Sequence, residues 1–165
     1  MTSLPRPTTD SDELSIRPAR PTDRTGLVEV WLRSVRATHA FLAPEEIDAL
    51  IEPSREYLTA DEPELWVLVD SADSPVGFMG LAGNEVESLF LAPEVHRRGW
   101  GRRLVRHTQA LRGELTVAVN EQNTGAVRFY EACGFRLEDR SELDGDGRPF
   151  PLLFMRLPAA DAVTT

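Results

Sequence analysis

Residues 85–112, EVESLFLAPEVHRRGWGRRLVRHTQALR, restrict the fold more than any other stretch. In them an apolar run passes through two closely spaced glycines into an arginine-rich segment with helical spacing. Val86, Ser88, Leu89, Phe90 and Leu91 form a short strand-like run that Pro93 ends, since proline has no amide donor to continue a paired strand. Trp100, Leu104, Val105, Thr108 and Leu111 then recur at three- and four-residue steps, the stripe of one helix face. Between them Gly99 and Gly101 allow a tight turn and leave backbone amides open where the helix dipole is positive. Strand, turn and helix in this order make a phosphate site.

The charge pattern points the same way. Arg97, Arg98, Arg102, Arg103, Arg106 and Arg112 fall within sixteen residues free of Asp and Glu, in a chain whose formal net charge is -9. A positive island in an acidic chain suits one anionic ligand, although a solvated helix face presents the same residues. A P-loop is excluded because the chain contains no lysine. The dinucleotide fingerprint G-x-G-x-x-G fails at Leu104, where its third glycine belongs. The pI near 4.8 argues against nucleic acid as a partner, since phosphate backbones are bound by extended positive surfaces.

The motif His96-Arg-Arg-Gly-Trp-Gly101 resembles the Q/R-x-x-G-x-G/A pyrophosphate loop of the GNAT N-acetyltransferases, with His96 where the family usually has Gln or Arg. A second segment, Asn120-Glu-Gln-Asn-Thr-Gly-Ala-Val-Arg-Phe-Tyr-Glu-Ala-Cys-Gly-Phe135, resembles the family's N-x-x-A-x-x-F-Y-E-x-x-G-F motif at the usual distance after that loop. Residues 34–42, SVRATHAFL, and 147–153, GRPFPLL, are similar to the bacterial YjaB group within the family, so the resemblance spans roughly residues 14–157. It implies acetyl-CoA as cosubstrate. Its pantetheine arm would pair with the strand carrying Leu89, Phe90 and Leu91, through the backbone of Leu89 and Leu91. Its pyrophosphate would lie on the loop of His96, Arg97, Arg98, Gly99, Trp100, Gly101 and Arg102. Asn123 and Phe129 would complete the cofactor side, with Asn123 also suited to capping a helix.

Acetyl transfer to an amine requires an unprotonated nucleophile, a stabilised oxyanion and a proton for the departing thiolate. The resemblance makes Tyr130 the general acid, and a phenol of pKa ~10 suits a thiolate of similar basicity. A packing tyrosine beside Phe129 is the alternative. The base is open among His39, which titrates near neutrality, Glu87 on the cofactor strand, and a water chain. Cys133 would permit an acetyl-cysteine route, but its spacing from Phe129 and Tyr130 places it in a core, so direct transfer in a ternary complex is expected. The acceptor is expected between residues 36–58 and the turn at residues 144–147, where Glu45, Glu46, Asp48 and Glu52 would form an acidic wall attractive to a cationic amine. The YjaB resemblance implies a protein lysine as acceptor. A small-molecule amine or antibiotic acetyltransferase, and a non-catalytic regulator that binds acetyl-CoA, are the alternatives.

At 165 residues and 41% hydrophobic content the chain suits one domain, residues 14–157, between flexible tails at 1–13 and 158–165. The element order reads β-α-α-β-β-β-α-β-α-β-β, a mixed α/β fold with a central, mostly antiparallel twisted sheet and about four helices. Thr22 or Asp23 is placed to cap the first helix, and Pro53 to interrupt the second. No apolar run reaches the ~18 residues of a membrane span, and no basic-then-apolar leader opens the chain. The protein is therefore expected to be cytoplasmic and free of membrane, as a monomer or homodimer. One cysteine and three scattered histidines give neither a disulfide nor metal-ligand spacing, so no metal is expected.

Overall fold

The computed structural model describes residues 13–160. The expected tails at 1–13 and 158–165 lie outside that range except for Glu13 and residues 158–160. In chain order the elements are β1 (Ser15–Pro18), α1 (Arg24–Thr38), α2 (Pro44–Thr59), β2 (Glu64–Val69), β3 (Pro75–Ala82), β4 (Glu85–Leu91), α3 (Trp100–Arg112), β5 (Leu115–Asn120), α4 (Thr124–Cys133), β6 (Arg136–Ser141) and β7 (Leu152–Leu157). Two 3-10 turns, Pro21–Asp23 and Pro93–Val95, complete the order. The expected mixed α/β sequence of elements is the one observed.

The strands form one sheet in the order β1-β2-β3-β4-β5-β7-β6. All neighbours are antiparallel except β4 and β5. Because side chains alternate across a strand, β2 feeds two cores. Leu65, Val67 and Val69 pack with the α1 stripe of Leu27, Val30, Trp31 and Val35, while Leu68 packs with Leu104 and Val105 of α3. Each fully buried residue of the α1 stripe contributes about 1.5–3 kcal/mol. The sheet is thus covered by α1 and α2 on one face and by α3 and α4 on the other.

Two features of β4 open the site. Its parallel pairing with β5 covers only Glu85↔Thr116 and Val86↔Val117, so the strands part beyond Val86 and leave the β4 edge without a strand partner. Its pairing with β3 slips, Gly80 facing Ser88 but Leu81 facing Val86, which makes Glu87 the extra residue of a β-bulge.

Several local expectations are corrected. Helix α2 runs through Pro53 to Thr59. Pro53 and Ala49 both lie on the exposed face, open to solvent where the helix loses its hydrogen bond, and beyond them buried Leu58 and half-buried Tyr57 hold the helix to the core. Asp23 does not cap α1; its carboxylate accepts from the Arg20 amide at 2.7 Å and from both Arg17 guanidinium nitrogens. Leu111 is exposed, and buried Gln109 takes over the last turn of α3 by donating to the Pro158 carbonyl at 2.8 Å. Among the described residues no helix is long and apolar enough to cross a membrane, and no group of three or more metal-ligating side chains occurs.

Candidate active site

The loop before α3 has the backbone the glycines foretold, for two different reasons. Gly99 is left-handed at φ 83, and a Cβ there would meet nothing within 4 Å, so glycine serves the dihedral. Gly101 is helical, and a Cβ there would lie 3.0 Å from Phe129 Cε2 and 3.4 Å from Leu91 Cδ1, so glycine serves close packing of α3 on α4 and β4. Arg97 is also left-handed, at φ 61. No side chain caps α3. Its first amides therefore have no intrahelical acceptor and sit at the positive end of the dipole, a fit for a diphosphate.

Most of the arginine island is structural. Arg102 donates to the Ala132 carbonyl at 2.9 Å and Arg106 to the Cys133 carbonyl at 3.1 Å, which satisfies the negative end of α4. Arg112 donates to the Gly83 carbonyl at 3.0 Å and pairs with Glu64. Arg103 stacks over Trp100 at 4.3 Å. Arg97 lines the cavity described next, whereas Arg98 does not.

A cavity of about 810 Å³ fills the gap between β4 and β5. Along β4 it meets Glu87, Leu89, Phe90 and Leu91; at the loop it meets His96, Gly99, Trp100, Gly101 and Arg102; from α4 it meets Phe129, Tyr130 and, at the helix start, Asn123. His39 closes the side nearest α1. All the expected site residues except Arg98 therefore face one space. The His96 ring donates from Nε2 to the Leu91 carbonyl at 2.8 Å, pinning the loop to the end of β4 and occupying one of the backbone groups expected to meet the pantetheine arm.

Tyr130 is 7% exposed, wedged edge-on between Phe129 and Phe135 with ring centroids 5.2 and 5.1 Å away. Burial pushes its phenol above the usual value, with the Cys133 thiol adding to the shift, so it stays protonated. Cys133 is buried in the core beside it, outside the cavity, and burial raises its thiol too. His39 caps the C-terminal end of α1 and is half-buried, and desolvation lowers its pKa below the ordinary 6.5. Asn123 caps α4, its Oδ1 accepting from the Ala126 amide at 3.1 Å, while its Nδ2 lies 3.4 Å from His39 Nε2.

Glu87 also borders a smaller cavity of about 300 Å³, between α1, α2 and β4, shared with Trp31, Tyr57 and Phe90. The Tyr57 hydroxyl reaches Ser88 Oγ at 3.4 Å through a notch left by Gly80, where a Cβ would fall 2.1 Å from it. The expected acidic wall is corrected here. Glu45, Glu46, Asp48 and Glu52 are exposed on α2 and line neither cavity, and Glu52 is paired with Arg55. The hairpin acid Asp144 is turned inward to the Asp146 and Arg148 amides. Sequence reasoning overlooked Thr38, Tyr57, Ser88 and the β5 wall of Val117, Ala118, Val119 and Asn120. The β5 alternation was readable, but nothing in it marked a strand that parts from its neighbour.

Comparison with known proteins agrees with this architecture. The acetyltransferase (GNAT) domain model matches residues 61–137. The peptidyl-lysine N-acetyltransferase YjaB of Escherichia coli strain K12 is 46% identical over 140 residues, 85% of this chain and 94% of that protein. YjaB of Salmonella typhimurium is 43% identical over 88% of this chain and 99% of that protein. The solution structure of apo-form YjaB from E. coli superposes with a TM-score of 0.81 at 45% identity, over 89% of this chain and 99% of that one. With the splayed β4 and β5, the uncapped loop and identity of this extent, the chain belongs to the GNAT family and is an acetyl-CoA-dependent N-acetyltransferase.

Proposed function

We propose that the protein acetylates lysine ε-amino groups of proteins or peptides, with Tyr130 as general acid, His39 as the group that takes the proton from the amine, and Glu87 as the carboxylate that draws the ammonium in. The observation that carries this reading is the convergence of these three side chains, from α4, α1 and the β4 bulge, on one cavity beside the unpaired edge of β4. The names of the YjaB relatives support lysine as the acceptor class.

Acetyl-CoA supplies the activated acyl group as a thioester. The uncapped amides of α3 and the side chain of Arg97 hold its diphosphate, and the free edge of β4 around Leu89 receives the pantetheine arm as a strand would. Glu87 attracts a cationic amine but stabilises its charge, so a second group must accept the proton. His39 is neutral at working pH and suited to that step. Tyr130 then donates its proton to the sulfur as the thioester bond breaks. Its high pKa is matched because a thiolate forming in the same buried space is destabilised too. Cys133 lies outside the cavity, consistent with direct attack by the amine.

Small-molecule amines share all of this chemistry. A thiol-release assay with acetyl-CoA against lysine-bearing peptides, polyamines, aminoglycosides and aromatic amines tests the reading. Preference for the peptides is expected, and preference for a neutral or anionic small molecule contradicts it.

A further inference from the structure

Resting on the reading of His39 as the proton acceptor, we propose that Thr38 is a positioning residue for it. The Thr38 hydroxyl fixes His39 in the tautomer whose Nε2 lone pair faces the cavity, and the Asn123 amide holds that lone pair until the acceptor amine takes its place.

The tautomer follows from counting protons. A threonine hydroxyl has one, and Thr38 donates it to the Ser34 carbonyl at 2.8 Å, one turn back along α1. Towards His39 Nδ1, also 2.8 Å away, Thr38 Oγ1 is therefore left to accept, so Nδ1 carries the ring proton and Nε2 carries none. The far side of the ring gives the same answer independently. The Ala126 amide donates to Asn123 Oδ1, which identifies the other branch of that side chain as the NH2 group. An NH2 group can only donate, so His39 Nε2, 3.4 Å from it, accepts. Both ends of the chain Ser34–Thr38–His39–Asn123–Ala126 require the same arrangement of protons.

The geometry also separates the two contacts by strength. The Thr38 bond is short, within one helix end, and the ring is flanked by Phe41 and Phe90 at centroid distances of 5.2 and 6.2 Å. The Asn123 contact is long, between separate helices, and is the one an entering amine displaces. When the ammonium gives its proton to Nε2, the N–H bond of the amine breaks, a ring N–H forms, and the positive charge moves to the imidazole. Nδ1–H still donates to Thr38, and the protonated Nε2 offers no lone pair for the displaced Asn123 NH2 to return to. Burial, which lowers the His39 pKa, keeps the resting ring neutral. The other titratable groups lining the cavity are Glu87 on β4, His96 and Arg97 in the loop, Arg102 on α3 and Tyr130 on α4.

The test uses the full chain labelled at histidine nitrogens, read by NMR, together with turnover of a synthetic lysine-bearing peptide. Wild type and Thr38→Ser should show His39 protonated at Nδ1. Thr38→Val should shift the signature towards Nε2–H and lower turnover about tenfold, the loss of one hydrogen bond, with KM for acetyl-CoA unchanged and Thr38→Ser restoring the rate. Thr38→Ala serves as the second truncation if the valine variant misfolds. An Nε2–H ring in the wild type, or full turnover in a folded Thr38→Val or Thr38→Ala, overturns the proposal. His39→Gln separates the two possible failures. Full turnover there removes His39 as the base, whereas lost turnover there with none lost in Thr38→Val removes only Thr38 as its positioner.

Discussion

The Phe129 ring fills the space a side chain at Gly101 would need, its Cε2 atom lying 3.0 Å from where that Cβ would be. The alanine variant pits two effects against each other. Helix propensity favours Gly101→Ala by up to ~1 kcal/mol, while overpacking costs about 1–3 kcal/mol. Phe129 packs edge-on against Tyr130 on one side, and the propensity gain is small at the second residue of a helix, so denaturant unfolding should show a net loss of about 1 kcal/mol. Gly99→Ala meets no atoms and should lose about 1–2 kcal/mol to left-handed strain alone. Stability equal to wild type in both variants would refute the separate roles given to the two glycines.

Gly101→Glu places a carboxylate beside the amides proposed to hold the diphosphate. Calorimetric titration should show acetyl-CoA affinity reduced at least several-fold, by repulsion as well as packing. A folded variant with wild-type affinity would move the diphosphate away from the start of α3.

The carboxylate that selects the acceptor is expected to be Glu87 rather than the α2 acids. Glu87→Gln should reduce the preference for cationic over neutral amines, whereas replacing Glu45, Glu46 and Asp48 together by Gln should alter only the salt sensitivity of association. The reverse result in acceptor screening would restore the α2 wall.

His39 has a pKa lowered by burial, so its neutral, proton-accepting form dominates above a value that itself lies below 6.5. The acid limb of kcat/KM should therefore fall below pH 6.5 and disappear in His39→Gln. An unchanged limb in that variant assigns it to another group.

Asp23 joins β1 to the start of α1 through Arg17 and the Arg20 amide, and these bonds depress its pKa below 3.8. A depressed carboxylate contributes stability that is fully present above its unfolded pKa and lost as pH falls through the folded one. Asp23→Asn should therefore cost about 1–3 kcal/mol near neutrality, and the gap to wild type should begin to shrink below about pH 4 and go on shrinking as pH falls through the depressed folded value. A gap that persists undiminished in acid would mean the ion pair is not its source.

Element order and the turn before α3 were legible because each rests on local chemistry: the 3.6-residue stripe of Leu27, Val30, Trp31 and Val35, the glycines around Trp100, the cap at Asn123. What was not legible depends on partners distant in sequence. The helical passage through Pro53 depends on the burial of Leu58, and the exposure of Leu111 on the hold of Gln109 over Pro158. The arginines looked like one anion site, yet Arg102 and Arg106 are spent on carbonyls at the end of α4, which no spacing rule reveals. His39 was a candidate by residue type and by the resemblance of the stretch around it, residues 34–42, to the YjaB group. Its meeting with Asn123 spans 84 residues and needed the fold.

The most direct measurement is mass spectrometry of a lysine-bearing peptide incubated with acetyl-CoA and either wild-type protein or Tyr130→Phe. Phenylalanine keeps the Tyr130 ring packed edge-on between Phe129 and Phe135, so the variant should fold and bind acetyl-CoA like the wild type. Acetylation at the lysine ε-amine is expected with the wild type, with a rate lower on the order of 10²-fold in Tyr130→Phe. No acetyl-lysine above the uncatalysed background with wild type, or equal rates for the two proteins, would contradict it.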